Sequence, residues 1–462
     1  MTLNQGLKCF AQRLRLRTRQ ALICPRSALR PCVGLFAALV FSATAMASST
    51  SSVQSSRSNN MVYLTSVSGG HTARIGLNTD WGGAIVEVSL DSVNYVNAHD
   101  SGREVQPALY DGNAPYTNFN CSPCTGTWGW NPVLGGDKYN HGSPVTAVTL
   151  GTNSVSVTTT ALEWNPDDKG GGATTPIASN VTMTQTVSVV PGSPLAFQVQ
   201  VTMTHNGTEQ RYLDNQEFPA VYVNSQYSRF SYYSGTKPWT SAAVTTLSSV
   251  PTSPGTGQLY SAEQWSAFTN KSNVGLTVYV PGQYPYVTAA SLPGLGGSGP
   301  LGDASYYSHT FAPMTVGPRA VIQGTMYLIP GSATTARTIV NGLHSSLSNA
   351  DIAPPFGNVE APAQGATVSG ASVAISGWAI DNVAVASLSV LVDGVVVATP
   401  SVSNPRTDVA SAYPHVASAN SGWGFYFNSN SISNGSHAIT VKITDSSGNI
   451  SLLAPIYVTV SN

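Results

Sequence analysis

Residues 181–190 read VTMTQTVSVV, and residues 195–203 read LAFQVQVTM, with Pro-Gly-Ser-Pro between them. In both runs, apolar residues alternate with threonine, serine or glutamine. A period of two places alternate side chains on opposite faces of an extended strand, and glycine and proline between the runs favour a turn. The stretch therefore predicts two antiparallel strands joined by a turn.

The same alternation recurs elsewhere, as in Ala147–Thr160. Charged residues make up only 9% of the chain, while glycine, serine, threonine and asparagine are plentiful. This composition favours β-sheets over helices. The best candidate helix, Ala336–Leu347, could equally be a strand and a turn. We predict an all-β protein.

The 462 residues allow two or three domains. A proline-rich passage at Ala353–Gly357 predicts a linker and a boundary near residue 350. We predict a large domain at 61–350, and a linker with a smaller domain at 351–462. The serine-rich segment 48–60 predicts a flexible tail.

The first 47 residues contain seven cations and no acid, followed by an apolar run at Val33–Val40 and the sequence Ala45-Met46-Ala47. This order is typical of a secretory signal peptide, with cleavage before Ser48. The apolar run is shorter than the roughly 20 residues of a membrane span. We predict a secreted protein, extracellular, periplasmic or at the cell surface. An uncleaved membrane anchor is the alternative.

Cleavage would leave 13 cations against 21 acids, a net charge of −8. Negative charge repels phosphate backbones and anionic lipids. Nucleic acid and membranes are therefore poor candidate partners, and we predict no transmembrane segment. The oligomeric state stays open.

Two cysteines remain after cleavage, in Cys121-Ser122-Pro123-Cys124. In an oxidising compartment we expect a disulfide between them that shapes one loop. The alternative is a redox-active pair, but no βαβ pattern surrounds it.

The last hundred residues contain short alternating strands and no cysteine. They resemble bacterial Ig-like modules through Gly377–Asn382, Val392-Asp393-Gly394, Gly422-Trp423 and Asp445–Asn449. The resemblance implies an Ig-like β-sandwich that serves as a spacer or an attachment module. Trp378 is expected to fill the space between the sheets. Trp423 is either a core residue or a glycan contact.

The large domain opens with Ala73–Leu77, Gly82–Val88 and Asn94–Asn97. This opening resembles the galactose-mutarotase-like β-supersandwiches, in which a Gly-Gly-Ala-Ile strand precedes a hairpin that ends in an Asn-rich turn. The resemblance implies a large antiparallel β-sandwich. That superfamily includes sugar epimerases and sandwich domains of glycosidases and polysaccharide lyases.

Charged residues concentrate at His99–Gln106. Arg103 offers a planar fork for a carboxylate or for sugar hydroxyls, and Glu104 could act as an acid or a base. The alternative is a salt-bridged loop at a sheet edge.

Aromatic and polar residues alternate in Thr127–Pro132 and Gly135–Ser143. An indole face covers the C–H face of a pyranose, while amides and carboxylates bind its hydroxyls. This pattern predicts sugar contacts by Trp128, Trp130, Asn131 and Asp137. One of the two tryptophans could instead pack inward. His141 has no partner at metal-ligand spacing, so we predict no cofactor and no metal site, and a metal ion stays open as the alternative.

Two further stretches join an acid to aromatic residues: Glu217, followed by Tyr233 and Trp239, and Glu263 beside Trp265. We predict that these three aromatic residues bind the substrate. Glycoside hydrolysis needs two carboxylates on opposite sides of the bond, so Glu217 and Glu263 are candidates. Either could be an ordinary structural residue. A Gly- and Pro-rich loop at 292–307 adds Tyr307 as a binding candidate.

The chain contains no GxSxG, no phosphate-binding loop and no dinucleotide motif. The leading hypothesis is a secreted carbohydrate-active enzyme that acts on a polysaccharide or oligosaccharide, with glycoside hydrolysis favoured over a lyase reaction. Hydrolysis would use Glu217 with Glu263 or Glu104. Elimination would use Tyr139 or His141 as the base, with Arg103 binding the substrate carboxylate. The alternative is a non-catalytic glycan-binding or adhesion protein.

Overall fold

The computed structural model describes residues 51–97, 104–111, 130–166, 175–213, 217–250, 259–293, 304–310, 314–347, 351, 353–414, 416 and 418–462. The predicted signal peptide, Arg103, Trp128, Cys121, Cys124 and the side chain of Tyr307 lie outside this part of the chain. Strands dominate the described residues, which confirms the all-β prediction. No helix in these ranges is long and apolar enough to cross a membrane.

The first sheet of the large domain has the strand order β1-β2-β3-β4-β5. Its strands are β1 (Ser52–Ser58), β2 (Met61–Ser68), β3 (His71–Asn78), β4 (Ala84–Leu90) and β5 (Val93–Asn94). Strand β1 pairs with β2 from Ser52↔Val67 to Ser58↔Met61, so the predicted flexible tail is wrong for residues 52–58. A serine-rich, polar sequence suits this exposed edge strand as well as it suits disorder.

The second sheet contains fifteen strands. The strands that follow along the chain are β6 (Val105–Ala108), β7 (Pro132–Val133), β8 (Val145–Leu150), β9 (Ser154–Glu163), β10 (Ala178–Val190), β11 (Ser193–His205), β12 (Arg211–Leu213), β13 (Glu217–Val223), β14 (Arg229–Tyr232), β15 (Thr245–Leu247), β16 (Leu259–Tyr260), β17 (Trp265–Thr269), β18 (Val274–Tyr279), β19 (Tyr286–Pro293), β20 (Ala304–Thr310), β21 (Met314–Val316) and β22 (Val321–Ser332). The sheet order is β15-β14-β17-β18-β22-β11-β10-β9-β7-β6-β13-β20-β19-β16, with β8 paired to β9. Strands β12 and β21 form a separate pair.

The alternating stretch at 181–203 forms the hairpin β10–β11. Gly192 has a φ of 76° in the connecting turn, a backbone conformation that glycine adopts without strain. Met183 and Val199, on its inner face, pack against Leu64 and Ile75 of the first sheet. The hairpin thus supplies the centre of a two-layer apolar core.

The helix α1 (Ala333–Ser346) extends the predicted helix 336–347 by one turn toward the N-terminus. Ala333, Ala336 and Val340 are buried along one face. They join a second apolar cluster with Trp265 of β17 and Tyr279 of β18. Helix α1 is therefore held on the second sheet by an apolar stripe.

Residues 261–264 join β16, at one end of the second sheet, to β17, near the other end. Two backbone hydrogen bonds bridge this short connection: Ser261 N–H donates to Pro285 O at 2.6 Å, and Ala262 N–H donates to Tyr233 O at 2.7 Å. The two ends of the sheet therefore meet at this connection.

The C-terminal module has two sheets, β23-β25-β28 and β24-β31-β29-β26-β27, with β30 paired to β29. Its elements are β23 (Phe356–Ala361), β24 (Thr367–Val368), β25 (Val373–Ile380), β26 (Val385–Val392), β27 (Val395–Ala398), α2 (Thr407–Ala412), β28 (Gly422–Phe427), β29 (Gly435–Asp445), β30 (Ile450–Leu452) and β31 (Ile456–Val460). Trp423, not Trp378, fills the space between these sheets. The expectation for Trp378 was wrong because its ring packs against Phe356 and Tyr413 outside that core.

The module docks on β19 of the large domain through an aromatic junction. Tyr284 and Tyr286 pack there with Phe356, and Ala353 of the predicted linker is fully buried. The Tyr284 hydroxyl donates to Pro354 O at 2.7 Å, and the Tyr286 hydroxyl donates to Pro414 O at 2.7 Å. The proline-rich passage is therefore part of a packed interface and not a free tether.

Candidate functional site

The second sheet brings three polar side chains together on the face opposite the main core. Ala108 of β6 pairs with Val133 of β7 and with Glu217 of β13. This register places Tyr110 opposite Asn131 on the neighbouring strand. Glu217 lies opposite Ala108, two residues before Tyr110 on the same face. We call Tyr110, Asn131 and Glu217 the Glu217 cluster.

The face is defined by the alternation along each strand. Leu109, Trp130 and Phe218 belong to the main core. Their neighbours Tyr110, Asn131 and Glu217 consequently project from the other side of the sheet. The pairing of β6 with β7 on one side and with β13 on the other therefore positions the Glu217 cluster.

Tyr110 and Glu217 form a hydrogen-bonded pair. Burial raises the pKa of the Tyr110 phenol well above its usual value, and the carboxylate of Glu217 and the hydrogen bond to it raise it further. The phenol therefore stays protonated at neutral pH and donates to the carboxylate. The contact places a carboxylate, a potential base, next to a protonated hydroxyl, and both groups belong to the types used in acid–base catalysis.

Asn131 is only 1% exposed, and within the described part of the chain neither Oδ1 nor Nδ2 of its side chain has a partner. Its backbone N–H donates to Glu163 Oε2 at 2.7 Å, which fixes the chain at this point. A buried amide without partners costs about 1–3 kcal/mol. A ligand that offers both donors and acceptors would satisfy this amide.

Glu104 lies at the start of β6, on the same alternating set as Gln106 and Tyr110. It is 1% exposed, and its carbonyl accepts from Tyr222 N–H at 2.6 Å. Gln106 Oε1 accepts from Gly135 N–H at 2.6 Å. The strand therefore links the Glu217 cluster to the loop that follows β7.

That loop carries Asp137, Tyr139 and His141. Asp137 accepts from the backbone N–H of Tyr139 at 2.9 Å and of His141 at 3.0 Å, and its second oxygen lies 2.8 Å from His141 Nδ1. Tyr139 is 38% exposed. Asp137, predicted as a sugar contact, thus uses both carboxylate oxygens to hold the loop.

Trp130, predicted as a sugar platform, is 1% exposed and packs inward. Its Nε1 donates to Asn180 Oδ1 at 2.8 Å, and the guanidinium of Arg211 lies 5.0 Å from its ring centre. Burial favours the protonated form of Glu209 nearby, but hydrogen bonds from its own backbone, Asn180 and Arg211 outweigh burial and lower the pKa of Glu209 to about 2. This network stabilises the second sheet on the side opposite the Glu217 cluster.

A second group of predicted residues lies at the connection between the sheet ends. Glu263 is fully buried and forms a bidentate pair with Arg337 of α1, at 2.9 Å to Nε and 2.7 Å to Nη2. Trp265 Nε1 donates to it at 2.7 Å and Trp239 N–H at 2.8 Å. Tyr233 lies under the guanidinium, 5.0 Å from ring centre to Cζ. We call these five residues the Glu263 cluster.

The structure does not bring Glu263 together with Glu217. Strands β20 and β19 stand between β13 and β16, the strand that precedes Glu263. Four donors already occupy the Glu263 carboxylate. Its geometry is that of a structural ion pair that fastens α1 to the sheet.

Among the described residues, one group of carboxylates could hold a metal ion. Asp351, Asp381 and Asp445 bring oxygen atoms within 4.8 Å of one another at the domain junction. Burial raises the pKa of Asp381 to about 6, and repulsion from the other two carboxylates contributes to this shift against hydrogen bonds from Val383 and Ala384. The group belongs to the junction and not to the Glu217 cluster.

Sequence reasoning gave no role to Tyr110, Arg337 or the three junction aspartates. Tyr110 shares the alternating positions of Glu104 and Gln106, a signal that was available once β6 was assigned. The partner of Glu263 is 74 positions away in the chain, and no local pattern marks it.

A family model described as a bacterial Ig domain matches residues 355–441, which confirms the predicted Ig-like module. No curated protein matches the chain. Similar solved structures include an endo-beta-1,4-mannanase from Thermotoga petrophila, with 16% identity over 27% of this chain and 24% of that one, at a TM-score of 0.18.

A putative aldose 1-epimerase from Klebsiella pneumoniae is 12% identical over 65% of this chain and 93% of that one, with a TM-score of 0.33. The resemblance to galactose-mutarotase-like sandwiches led us to expect such a neighbour. A heparan sulfate lyase from Pedobacter heparinus is 8% identical over 71% of this chain and 41% of that one, with a TM-score of 0.30. The chain thus spans less than half of the mannanase and of the lyase. The function of the large domain must therefore be inferred from its own side chains.

Proposed function

We propose that the protein is a secreted carbohydrate-active enzyme that acts on a polysaccharide, with Glu217 and Tyr110 as its acid–base pair. One observation carries the proposal: a hydrogen-bonded carboxylate and phenol lie beside the unpartnered amide of Asn131. The leader at 1–47, with its cationic, apolar and Ala-x-Ala regions, supports secretion.

The three side chains suit a glycosidic substrate. Cleavage requires a proton for the leaving oxygen and a base for the attacking group or for a ring proton. Glu217 serves as the base in its ionised form, and Tyr110 supplies a protonated donor that it touches. The amide of Asn131 would pair with sugar hydroxyls, which both donate and accept.

Hydrolysis is the first candidate reaction. It needs a second carboxylate, and Glu104 lies on the same strand set as Tyr110. Glu104 is four residue steps from Ala108, the partner of Glu217, which is about 13 Å along a strand. Inverting enzymes hold their carboxyl groups roughly 6.5–9.5 Å apart, so these two side chains must lean toward each other.

Elimination from a uronic-acid polymer is the second candidate. It is favoured by the Glu217–Tyr110 contact, because one pair then provides both the base and the acid. Tyr139 and His141, the predicted bases, lie instead on the loop held by Asp137. Arg103, the predicted partner of the substrate carboxylate, lies outside the described residues.

The test is incubation of residues 48–462 with neutral and uronic-acid polysaccharides, while reducing ends and the absorbance of unsaturated uronates are measured. New reducing ends without that absorbance indicate hydrolysis, and reducing ends with it indicate elimination. Glu217→Gln should abolish either product, and Glu87→Gln, on the first sheet, should not. Without product, retardation of the protein on a glycan affinity gel would favour the non-catalytic glycan-binding alternative.

A further inference from the structure

A cavity of about 370 Å³ lies between α1 and the strands β14 and β17. One stripe of the helix lines it: Thr334, Arg337, Thr338 and Asn341 follow the i, i+3, i+4, i+7 spacing of a single helix face. Its volume is within the roughly 300–1,000 Å³ of small-ligand sites. The cavity lies beside the Glu263 cluster and contains no residue of the Glu217 cluster.

The lining combines polar side chains with the apolar residues Ala242, Ala243, Val244, Trp265 and Ala333, and its one charge is paired. Five hydroxyl side chains and two amides contribute to it: Ser231, Thr240, Ser241, Thr334 and Thr338, with Asn273 and Asn341. Arg337 is the one charged lining residue, and Glu263 balances it through the bidentate pair. An uncharged ligand therefore suits this cavity better than an ion.

The cavity also offers unused hydrogen-bonding capacity of both kinds. Asn341 lines the cavity, and its buried Oδ1 has no partner among the described residues, so it can accept from a ligand once the side chain turns toward the cavity. Arg337 uses three of its five N–H groups, on Glu263 and on the carbonyl of Ala242, so donors remain. A hydroxyl group can serve both because it donates and accepts.

We propose that this cavity binds a neutral sugar unit at a site separate from the acid–base pair. A sugar ring presents several hydroxyls at fixed spacing, which matches a lining of hydroxyls, amides and a neutralised guanidinium. A uronate would instead bring a negative charge near Glu263 and near the acceptor oxygen of Asn341. The identity of the polymer rests on the proposed function, but binding in this cavity does not require catalysis.

The experiment is titration calorimetry of residues 48–462 carrying Glu217→Gln, with neutral trisaccharides of glucose, mannose, xylose and galactose and with trigalacturonate. Asn341→Ala should weaken binding of the preferred neutral trisaccharide about tenfold, the effect of losing one buried hydrogen bond. Thr338→Trp should abolish it by filling the cavity. Thr335→Ala, on the same helix but outside the lining, is the matched control and should bind like the parent.

Unfolding midpoints measured on each variant separate loss of binding from loss of structure. Binding of a neutral trisaccharide that is unchanged in both Asn341→Ala and Thr338→Trp would overturn the proposal. Absence of binding by every neutral trisaccharide would also overturn it, as would selective binding of trigalacturonate that weakens with salt. Because the parent already carries Glu217→Gln, failure of this site is distinguishable from failure of the proposed enzyme activity.

Discussion

Glu217 and Glu263 occupy similar settings in the sequence, each an acid close to aromatic residues, yet the fold uses them in opposite ways. Glu263 is fully buried, and four donors from Arg337, Trp265 and Trp239 surround it. Glu217 hydrogen-bonds to the Tyr110 phenol, beside the amide of Asn131, whose side chain has no partner among the described residues. A carboxylate held by four structural donors stabilises the protein, whereas one paired with a proton donor is a candidate for acid–base chemistry.

The largest effect that would test this comparison is on stability. Glu263→Ala should lower the free energy of unfolding by about 3–5 kcal/mol, because it leaves the Arg337 charge buried without its partner. Urea unfolding followed by tryptophan fluorescence measures the loss. If Glu263→Ala stayed fully stable but lost activity, the two roles would have to be exchanged.

A smaller effect is expected from Tyr110→Phe. Removal of the phenol proton should lower kcat about 10²-fold on whichever polysaccharide is cleaved, as for other acid–base groups. Steady-state kinetics on this variant give the value, with Tyr63→Phe on the first sheet as the control. An unchanged kcat would leave Glu217 without its proposed proton donor.

Asn131→Ala should weaken substrate binding about tenfold, seen as a higher KM with a smaller change in kcat. Stability should change little, because the substitution also removes a buried amide without partners. Asn206→Ala, at an exposed position, is the matched control. A stability loss above about 3 kcal/mol would mean that this amide serves the fold and not a ligand.

The smallest effect concerns a carboxylate that lacks a cationic partner among the described residues. The folded-state pKa of Asp381 is about 6, above the usual value of 3.8, so its contribution to stability is present at low pH and is lost as pH rises from about 4 to 6. In EDTA, Asp381→Asn should match the parent at pH 4 and exceed it by about 1 kcal/mol at pH 8. Thermal unfolding at the two pH values measures the difference. A variant that is less stable at pH 8 would show that the carboxylate charge is needed at the junction.

The sequence predicted the hairpin β10–β11 well because its periodicity is local, but it left the segment of helix α1 open between a helix and a strand with a turn. It failed for β1, since a serine-rich edge strand and a flexible tail have the same composition. It named the linker passage but could not show its packing, because the burial of Ala353 depends on aromatic residues around β19 that lie far along the chain.

The candidate site was predicted only in part, for the same reason. Glu217 and Asn131 were named from composition, but their proximity depends on the pairing of three strands around Ala108. Trp130 was named as a platform, but it lies two residues before β7 and packs into the main core. The sequence shows which residue types are present, whereas the proximity of these side chains depends on the register in which the strands pair.

The aromatic junction restricts the orientation of the C-terminal module relative to the large domain. Tyr284 and Tyr286 hydrogen-bond to backbone carbonyls near Phe356 and Tyr413. These bonds and the aromatic packing hold the module against the large domain. A partner that binds the module would hold the Glu217 cluster in one fixed orientation. A bound partner would therefore fix the orientation of the large domain and not merely its distance.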